Sequence, residues 1–254
     1  MDYGICTLAY IPGRAEPKDS AEMTTQLVFG ETYRIVKITP KWVFIRTEKD
    51  QYDCWIDYKQ VNEIDWKSFE EINNNHFPVV TNNHVWLSNK ENQRIDLPIG
   101  AILPFFHQNQ VRIKGDVFNV HNFKTHKPEW SELPNIYHKS TYLWGGKTQW
   151  GLDCSGFSQM AYRLRGIDLL RDAYQQEEDE RFYTTPFNEQ QTGDLAFFRN
   201  KKGRTTHVGI ILSPNLIMHA SGYLRVDRLN EQGIIDDQEQ LTHILTSIKR
   251  YEHS

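Results

Sequence analysis

The stretch Gly151–Phe157, with the sequence GLDCSGF, places a cysteine between an aspartate and a serine just before a helix-like segment. A structural cysteine is usually buried among apolar neighbours, and Cys154 has no such neighbours on either side. The residues that follow, CSGFSQMAYRLRGIDL, carry apolar side chains at helical spacing from Phe157 to Leu164. The pattern predicts that Cys154 lies in the first turn of a helix.

This position suits a nucleophile. The backbone N–H groups of a first helical turn have no partner within the helix, and the helix dipole is positive there. Both effects favour a thiolate, so we expect the pKa of Cys154 to fall below the usual value of about 8.5. The same N–H groups would stabilise the oxyanion of a tetrahedral intermediate, provided that the fold also supplies a base.

Two histidines of the C-terminal half are candidates for that base and its orienting partner. His207 begins the strand-like segment HVGIIL, and His219 lies in LIMHAS, twelve residues later. A β-hairpin of this length brings both side chains to one face of a sheet, where one imidazole can face the thiol and the other can orient it. Spacing alone leaves the choice open, because a single cysteine at a helix start is often inert and a histidine at a strand end is often an ordinary residue.

The chain divides into parts by its patterns. Residues 1–64 predict a small β-barrel, with short strands such as TYRIVKIT and KWVFIRT separated by turns. Residues 65–76 predict a linking helix, and residues 77–125 repeat the strand pattern, which suggests a second barrel. In residues 126–254 helices precede a series of strands, as in an α+β domain whose helices pack on an antiparallel sheet.

The composition excludes several classes of function. The net charge of −4 and the pI of about 6.2 provide no basic field for nucleic acid or anionic lipid. No apolar run approaches the roughly 20 residues that cross a bilayer, and the first residues lack the features of a secretory signal. We therefore expect no nucleic-acid or membrane partner, and a cytoplasmic location, or a periplasmic one if a leader peptide was removed.

The sequence predicts neither a cofactor nor a metal. GGKT at residues 145–148 resembles the end of a phosphate-binding loop, but Thr141 stands where that motif requires glycine. The remaining histidines lack thiolate or carboxylate companions at ligand spacing. Cys6 and Cys54 lie in strand-like segments, so we expect buried thiols, with a disulfide between them as the alternative.

Six segments of the C-terminal part follow one another in a recognisable order. They are YLWGG (142–146), LDCSGF (152–157), RDAYQQ (171–176), TGDLAFF (192–198), HVGIIL (207–212) and HAS (219–221). In this order they resemble the NlpC-type cysteine peptidases of bacterial cell-wall metabolism. Residues 14–31, RAEPKDSAEMTTQLVFGE, resemble part of the paired bacterial SH3-like domains of the γ-D-glutamyl-L-diamino acid endopeptidases. The resemblance implies a papain-like catalytic domain preceded by two small SH3-like barrels.

The resemblance also implies a reaction. Cys154 would be the nucleophile, His207 the general base and His219 the residue that orients His207. The bond hydrolysed would be the amide between the γ-carboxyl group of D-glutamate and a diamino acid in a murein peptide. The sequence does not decide between diaminopimelate and lysine as that diamino acid.

Seven substrate-binding residues follow from the same resemblance, namely Glu22, Tyr52, Tyr142, Trp144, Asp153, Ser155 and Arg171. Glu22, Tyr52 and Asp153 would bind the free ammonium group of an N-terminal L-alanine, because a closed subsite for a cation requires opposite charge. Asp153 and Ser155 would line the subsite for the dipeptide, and the Tyr142 hydroxyl would stabilise the oxyanion. Ordinary alternatives remain, such as a surface carboxylate for Glu22, an aromatic residue of the barrel for Tyr52, and packing for the others.

Two functions remain open at this point. The first is a monomeric endopeptidase that recycles cell-wall peptides, in which the first SH3-like domain excludes glycan-linked substrates. The second is a peptidoglycan-binding wall protein with a secondary amidase or acyltransferase domain. The three catalytic candidates all stand within their motifs, which favours the enzyme.

Overall fold

The first part of the chain is an antiparallel sheet of seven strands in the computed structural model, which describes residues 2–252. The strands are β1 (Tyr3–Ile5), β2 (Tyr10–Arg14), β3 (Met23–Val28), β4 (Thr32–Ile38), β5 (Trp42–Thr47), β6 (Asp53–Asp57) and β7 (Glu63–Ile64). Their order is β3-β2-β6-β5-β4-β1-β7, with a 3-10 helix at Tyr58–Gln60 before β7. The inward side chains form one apolar cluster, in which Cys6 and Cys54 are buried free thiols, as expected.

A helix and a second sheet follow. Helix α1 (Trp66–Asn74) lies within the predicted linker, and the carboxylate of Asp65 caps it by accepting a hydrogen bond from the Ser68 N–H. The second sheet is antiparallel and contains β8 (Trp86–Ser88), β9 (Arg94–Asp96), β10 (Gln110–Ile113) and β11 (Asp116–His121), in the order β10-β11-β8-β9. Its core continues into that of the first part through Ile5, Phe29 and Ile64. The two sheets therefore share buried apolar surface.

The last part contains the remaining helices and strands. They are 3-10 helix Trp130–Glu132, α2 (Leu133–Ile136), β12 (Lys147–Thr148), β13 (Gly151–Leu152), α3 (Cys154–Arg163), α4 (Ala173–Glu177), β14 (Phe182–Thr184), 3-10 helix Phe187–Glu189, β15 (Leu195–Arg199), β16 (Thr205–Ser213), β17 (Leu216–Ser221), β18 (Tyr223–Asn230), β19 (Gly233–Ile235) and β20 (Leu241–Tyr251). Among the described residues, no helix is long and apolar enough to cross a membrane.

The large sheet of this part curls back on itself. Its order is β14-β20-β15-β16-β17-β18-β19, and β20 pairs with β19 as well as with β15. Six strands therefore close into an antiparallel barrel, while α3 packs against β16 and β17. This is the predicted α+β arrangement of helices on an antiparallel sheet.

The polar segment RDAYQQEEDERFY does not form the single long helix that its composition predicts. Helix α4 ends at Glu177, and Phe182 instead begins β14, which pairs with β20. Phe182 packs its ring against Tyr162 and Tyr251 in the core. Burial of this ring ends the helix, because a continued helix could not deliver it to the sheet.

Buried charges hold the first and last parts together. Lys147 Nζ lies 3.0 Å from an oxygen of Glu31, and Arg163 pairs with the same carboxylate. Gln159 donates a hydrogen bond of 2.9 Å to Asp50. All five side chains are nearly inaccessible to solvent. This cluster fixes the first sheet against the helix that carries Cys154.

Candidate active site

Cys154 is the first residue of α3, as predicted, and its neighbours explain the geometry. Asp153 is the N-cap, and its carboxylate accepts a hydrogen bond of 2.7 Å from the Gly156 N–H. A methyl group on Gly156 would lie 2.1 Å from the carbonyl oxygen of Gly146, so only glycine allows this close approach. The Cys154 sulfur lies 4.0 Å from the carbonyl oxygen of Thr206, the residue before His207.

A buried arginine holds the cap in place. Arg171 donates two hydrogen bonds to Asp153, of 2.6 and 3.1 Å, and further ones to Ser155 and to Thr25 of the first sheet. Asp153 also accepts a hydrogen bond of 2.9 Å from the Gly145 N–H. The Asp153 carboxylate is thus engaged within the protein, and its contact with a substrate ammonium stays a prediction.

His207 and His219 are in hydrogen-bond contact. His219 on β17 lies opposite Gly209 on β16, so His207, two residues earlier, shares its face of the sheet. His207 Nε2 lies 2.8 Å from His219 Nδ1, and His219 Nε2 lies 2.8 Å from a carboxylate oxygen of Asp227 on β18. The three side chains form a buried chain of hydrogen bonds.

The charge of Asp227 determines how this chain is protonated. Burial opposes ionisation, but hydrogen bonds from His219 and Arg225 outweigh it and lower the pKa of Asp227. The carboxylate then accepts a hydrogen bond from the N–H of His219 Nε2, which leaves His219 Nδ1 as an acceptor for the N–H of His207 Nε2. His207 Nδ1 therefore carries the free lone pair, as a general base requires.

The ionisation of Cys154 differs from the expectation. Burial, followed by the charge of Asp153, raises the pKa of Cys154 to about 12, against hydrogen bonds from the Val208 and Ser155 N–H groups and the charge of Arg171. Burial, His219 and His243 lower the pKa of His207 well below its usual value. The prediction of a thiolate was wrong because loss of water outweighs the helix terminus. The resting pair is a neutral thiol and a neutral imidazole.

Sequence reasoning missed two members of this cluster, Asp227 and His243. The His243 ring from β20 stacks on His207, with ring centroids 4.2 Å apart and an angle of 28° between the planes. Ring nitrogens of His207, His219 and His243 lie within 4.8 Å of one another, a spacing that could hold a metal ion. A metal there would have to replace the hydrogen bonds that connect His207, His219 and Asp227. Neither missed residue lies in a recognisable motif. Asp227 reaches the site through the register of β18 on β17, and His243 reaches it because β20 closes the barrel.

A cleft of about 530 Å³ opens above Cys154. All seven substrate-binding candidates line it, namely Glu22, Tyr52, Tyr142, Trp144, Asp153, Ser155 and Arg171. Asp172, Tyr174, Asn200 and Arg204 also line it and were not predicted as site residues. The structure therefore brings the candidates of both domains together at the nucleophile.

Two contacts bring the first domain into the cleft wall. Trp144 Nε1 donates a hydrogen bond of 2.6 Å to a carboxylate oxygen of Glu22. Gly145, whose φ of +77° suits glycine, packs so closely on Met23 that an added methyl group would lie 2.3 Å from the Met23 carbonyl oxygen. Glu22 is therefore positioned by Trp144, which belongs to the last part of the chain.

The two tyrosines of the cleft remain protonated at neutral pH. Burial and the charge of Asp172 raise the pKa of Tyr52 to about 12. Burial, followed by the charges of Cys154 and Asp153, raises the pKa of Tyr142 to about 12. Both hydroxyl groups can therefore donate hydrogen bonds to a ligand.

Family comparison agrees with this geometry. Residues 139–243 match the model of the NlpC/P60 family, and residues 13–61 match that of the bacterial dipeptidyl-peptidase SH3 domain. Residues 139–243, which include Cys154, His207, His219 and Asp227, are therefore similar to an NlpC/P60 domain. The SH3 match covers one segment, within the first predicted SH3-like domain, and the second SH3-like domain stays a prediction.

Curated proteins match part of the chain. It is 36% identical over 111 residues to dipeptidyl-peptidase 6 of Lysinibacillus sphaericus, which covers 42% of the chain and 38% of that protein. It is 33% identical over 81 residues to the γ-D-glutamyl-L-lysine dipeptidyl-peptidase of Bacillus subtilis (strain 168), covering 31% of the chain and 27% of that protein. The chain thus spans less than half of the length of these relatives.

A solved structure matches nearly the whole chain. The crystal structure of an NlpC/P60 family protein from Bacillus cereus ATCC 10987 superposes with a TM-score of 0.79. The match covers 98% of the chain and 99% of that protein, at 18% sequence identity. The two proteins therefore share the fold of the NlpC/P60 domain together with the sheets that precede it.

Proposed function

We propose that this protein is a cysteine peptidase that hydrolyses the bond between the γ-carboxyl group of D-glutamate and the diamino acid of murein peptides with a free N-terminal L-alanine. The observation that carries the proposal is the cleft shared by Cys154 with Glu22 and Tyr52 of the first domain. Because the first domain forms one wall of the cleft, it limits how far a substrate peptide can extend beyond Cys154. A substrate that ends two residues from the cleaved bond satisfies that limit.

Glu22 and Asp172 are the carboxylates that bind the substrate ammonium. Asp153 is already paired with Arg171, whereas neither Glu22 nor Asp172 forms an ion pair within 4 Å among the described residues. The Tyr52 hydroxyl supplies a neutral hydrogen-bonding group beside them. A blocked amine would leave these carboxylates uncompensated as the peptide displaces water, so acetylated substrates bind weakly.

The first chemical step forms a thioester. The Cys154 sulfur attacks the γ-carbonyl carbon while its proton moves to His207 Nδ1. The resulting imidazolium is stabilised through His219 by the Asp227 carboxylate. His207 then donates this proton to the leaving amine as the C–N bond breaks. In the second step, His207 removes a proton from water, and the oxygen attacks the thioester carbon. The C–S bond then breaks, the Cys154 sulfur takes the proton back from His207, and the carboxylic acid product leaves.

The oxyanion formed in each step needs donors in the cleft. The Cys154 backbone N–H at the start of α3 and the Tyr142 hydroxyl fill this role. Since the hydroxyl stays protonated, it can donate throughout the reaction. Loss of one such donor costs about 3 kcal/mol of transition-state stabilisation.

The names of the relatives support this bond as the target. One is a γ-D-glutamyl-L-lysine dipeptidyl-peptidase, and the other is a dipeptidyl-peptidase. Release of the dipeptide L-alanyl-D-glutamate is the corresponding reaction here. A free L-alanine amine exists only after the amide to the glycan has been cut, so we place the reaction in peptide recycling, carried out by a monomer in the cytoplasm.

The test compares peptides that differ only at the amine. Purified protein is incubated with L-Ala-γ-D-Glu-L-Lys, with its diaminopimelate counterpart and with the N-acetylated form of each. We expect release of L-Ala-D-Glu from the free peptides and not from the acetylated ones, and no turnover by Cys154→Ala. Glu22→Gln should raise KM for the free peptides by at least about tenfold, whereas Glu16→Gln, at an exposed carboxylate of the same domain, should not.

Other results would point elsewhere. Equal cleavage of free and acetylated peptides would remove the ammonium subsite from the proposal. Product that forms only when an amine acceptor is added would indicate acyl transfer. Binding to intact sacculi without cleavage of any peptide would indicate a wall-binding protein.

A further inference from the structure

We propose that Arg204 recognises a carboxylate of the bound peptide and that this contact makes the enzyme sensitive to amidation of its substrate. The proposal rests on the proposed function, because it assigns a subsite of the same cleft. Arg204 lies in the loop between β15 and β16, three residues before His207, and lines the cleft together with Cys154.

Arg204 is the cleft cation that has no anionic partner. The other arginine of the cleft, Arg171, is buried and bonded to Asp153. Among residues 2–252, no carboxylate lies within ion-pair distance of Arg204, whose side chain is exposed. Asp172 is near enough to interact with its charge without pairing with it. The cleft thus has a cation, Arg204, and two carboxylates, Glu22 and Asp172, that form no ion pair among the described residues.

The loop holds Arg204 in a defined place. The Asn200 carboxamide oxygen accepts hydrogen bonds from the N–H groups of Lys202 and Arg204, of 3.0 and 3.1 Å. The Asn200 N–H in turn donates to the Arg204 carbonyl oxygen at 2.9 Å. The guanidinium lies over the Tyr174 ring, 5.7 Å from its centroid. Backbone and ring contacts both keep the charge at the cleft.

The substrate of the proposed reaction carries charges opposite to those of Asp172 and Arg204. Its L-alanine carries an ammonium, and the adjacent D-glutamate, bonded through its γ-carboxyl group, keeps a free α-carboxylate. These two charges are separated by one peptide unit, and the groups that face them, Asp172 and Arg204, are neighbours. The peptide also has a carboxylate on the diamino acid, beyond the cleaved bond. Either carboxylate can form the bidentate pair that a guanidinium favours.

Three peptides distinguish the two carboxylates. They are L-Ala-γ-D-Glu-L-Lys, the same peptide with the D-glutamyl α-carboxylate converted to a carboxamide, and the same peptide with a C-terminal carboxamide. Binding is measured by calorimetry in the inactive Cys154→Ala protein, alone and combined with Arg204→Ala. Turnover is measured separately with Cys154 intact. Lys202→Ala is the matched control, since it removes the same charge from the same loop at a residue that does not line the cleft.

We expect Arg204→Ala to weaken binding of the unmodified peptide by about 10- to 100-fold, the loss of a charge-assisted hydrogen bond. With one of the two amidated peptides this difference disappears, and that peptide identifies the carboxylate that Arg204 contacts. Lys202→Ala should change binding by less than about threefold.

The proposal is overturned if Arg204→Ala weakens all three peptides equally, if Lys202→Ala has the same effect, or if none of the peptides binds. Failure of the proposed function gives a different result. In that case carboxylate-dependent binding persists in the Cys154→Ala background while the protein with Cys154 intact hydrolyses none of the peptides.

Discussion

At the scale of single residues, loss of water sets the ionisation of Cys154 and His207, the pair that we propose as catalytic. Cys154 and His207 are both nearly inaccessible, at 8% and 7% exposure, so each disfavours its charged form. Proton transfer from sulfur to imidazole creates two charges, which the Val208 N–H, the helix terminus and Asp227 can stabilise. Both pKa shifts therefore favour the neutral thiol and the neutral imidazole before substrate is attacked.

The first prediction concerns the reactivity of this thiol. Because the pKa of Cys154 lies at about 12, the thiolate fraction should rise about tenfold per pH unit across the neutral range. Alkylation by iodoacetamide, located by mass spectrometry, should be slow at pH 7 and should still be rising about tenfold per unit between pH 9 and pH 10. A cysteine-containing peptide alkylated in parallel, with a thiol pKa of about 8.5, should level off above about pH 9.5. An alkylation rate of Cys154 that does not change with pH near pH 7 would instead show that the resting side chain is a thiolate.

The second prediction concerns Asp227. Asp227→Asn keeps an acceptor for His219 but removes the charge that stabilises the His207 imidazolium, so kcat should fall by roughly 100-fold. The matched control is Asp237→Asn, because Asp237 is exposed and shares the partner Arg225. An unchanged kcat in Asp227→Asn would show that His219 orients His207 without help from this carboxylate.

Sequence motifs predicted only part of the candidate site. Cys154, His207 and His219 stand in short sequence motifs that predict a helix start and two strands, and the structure brings the two histidines into contact. Asp227, His243 and Arg204 depend on the register of β18, on closure of the barrel by β20 and on the shape of one loop. Asp227 and Arg204 lie on short hairpins whose register and loop shape no local pattern fixes, and His243 reaches the site because β20 pairs with the distant strand β15.

At the scale of elements, the start of α3 is a tightly packed joint. Gly156 touches the carbonyl of Gly146, so the helix approaches the YLWGG loop to backbone contact. The same loop carries Trp144, whose indole reaches Glu22 of the first domain. The helix terminus that positions Cys154 therefore also sets the position of the cleft wall.

The third prediction tests this joint. Gly156→Ala places a methyl group against a backbone oxygen that cannot move aside freely, so it should lower both kcat and the free energy of unfolding, the latter by about 1–3 kcal/mol. Urea unfolding and turnover of L-Ala-γ-D-Glu-L-Lys measure the two effects. Gly115→Ala, where an added methyl group meets nothing within 4 Å, imposes only left-handed strain and should leave kcat unchanged. Normal activity in Gly156→Ala would show that the joint tolerates displacement.

At the scale of the whole molecule, the first part of the chain forms one wall of the cleft that contains Cys154. Sequence patterns predict the order of the parts, but the contacts between them could not be derived from patterns. Glu31 and Asp50 look like turn residues in the sequence, and GGKT resembles part of a nucleotide loop. In the fold, Lys147 of that segment is the cation that meets both carboxylates.

The fourth prediction follows from this buried cluster. Lys147→Met leaves Glu31 and Asp50 in a water-free interface with less positive charge, so it should lower the free energy of unfolding by about 3–5 kcal/mol. Lys49→Met is the control, because its pair with Asp168 also crosses between the domains but is partly exposed, and it should cost less than about 1 kcal/mol. Denaturant unfolding followed by tryptophan fluorescence and by circular dichroism measures both variants.

For the unsubstituted protein we expect the fluorescence and circular-dichroism unfolding curves to coincide, because the first two sheets share one apolar core. If Lys147→Met lowers the free energy of unfolding no more than Lys49→Met does, the buried cluster contributes little to the assembly of the cleft. The contacts of Trp144 and Arg171 must then hold Glu22 in position.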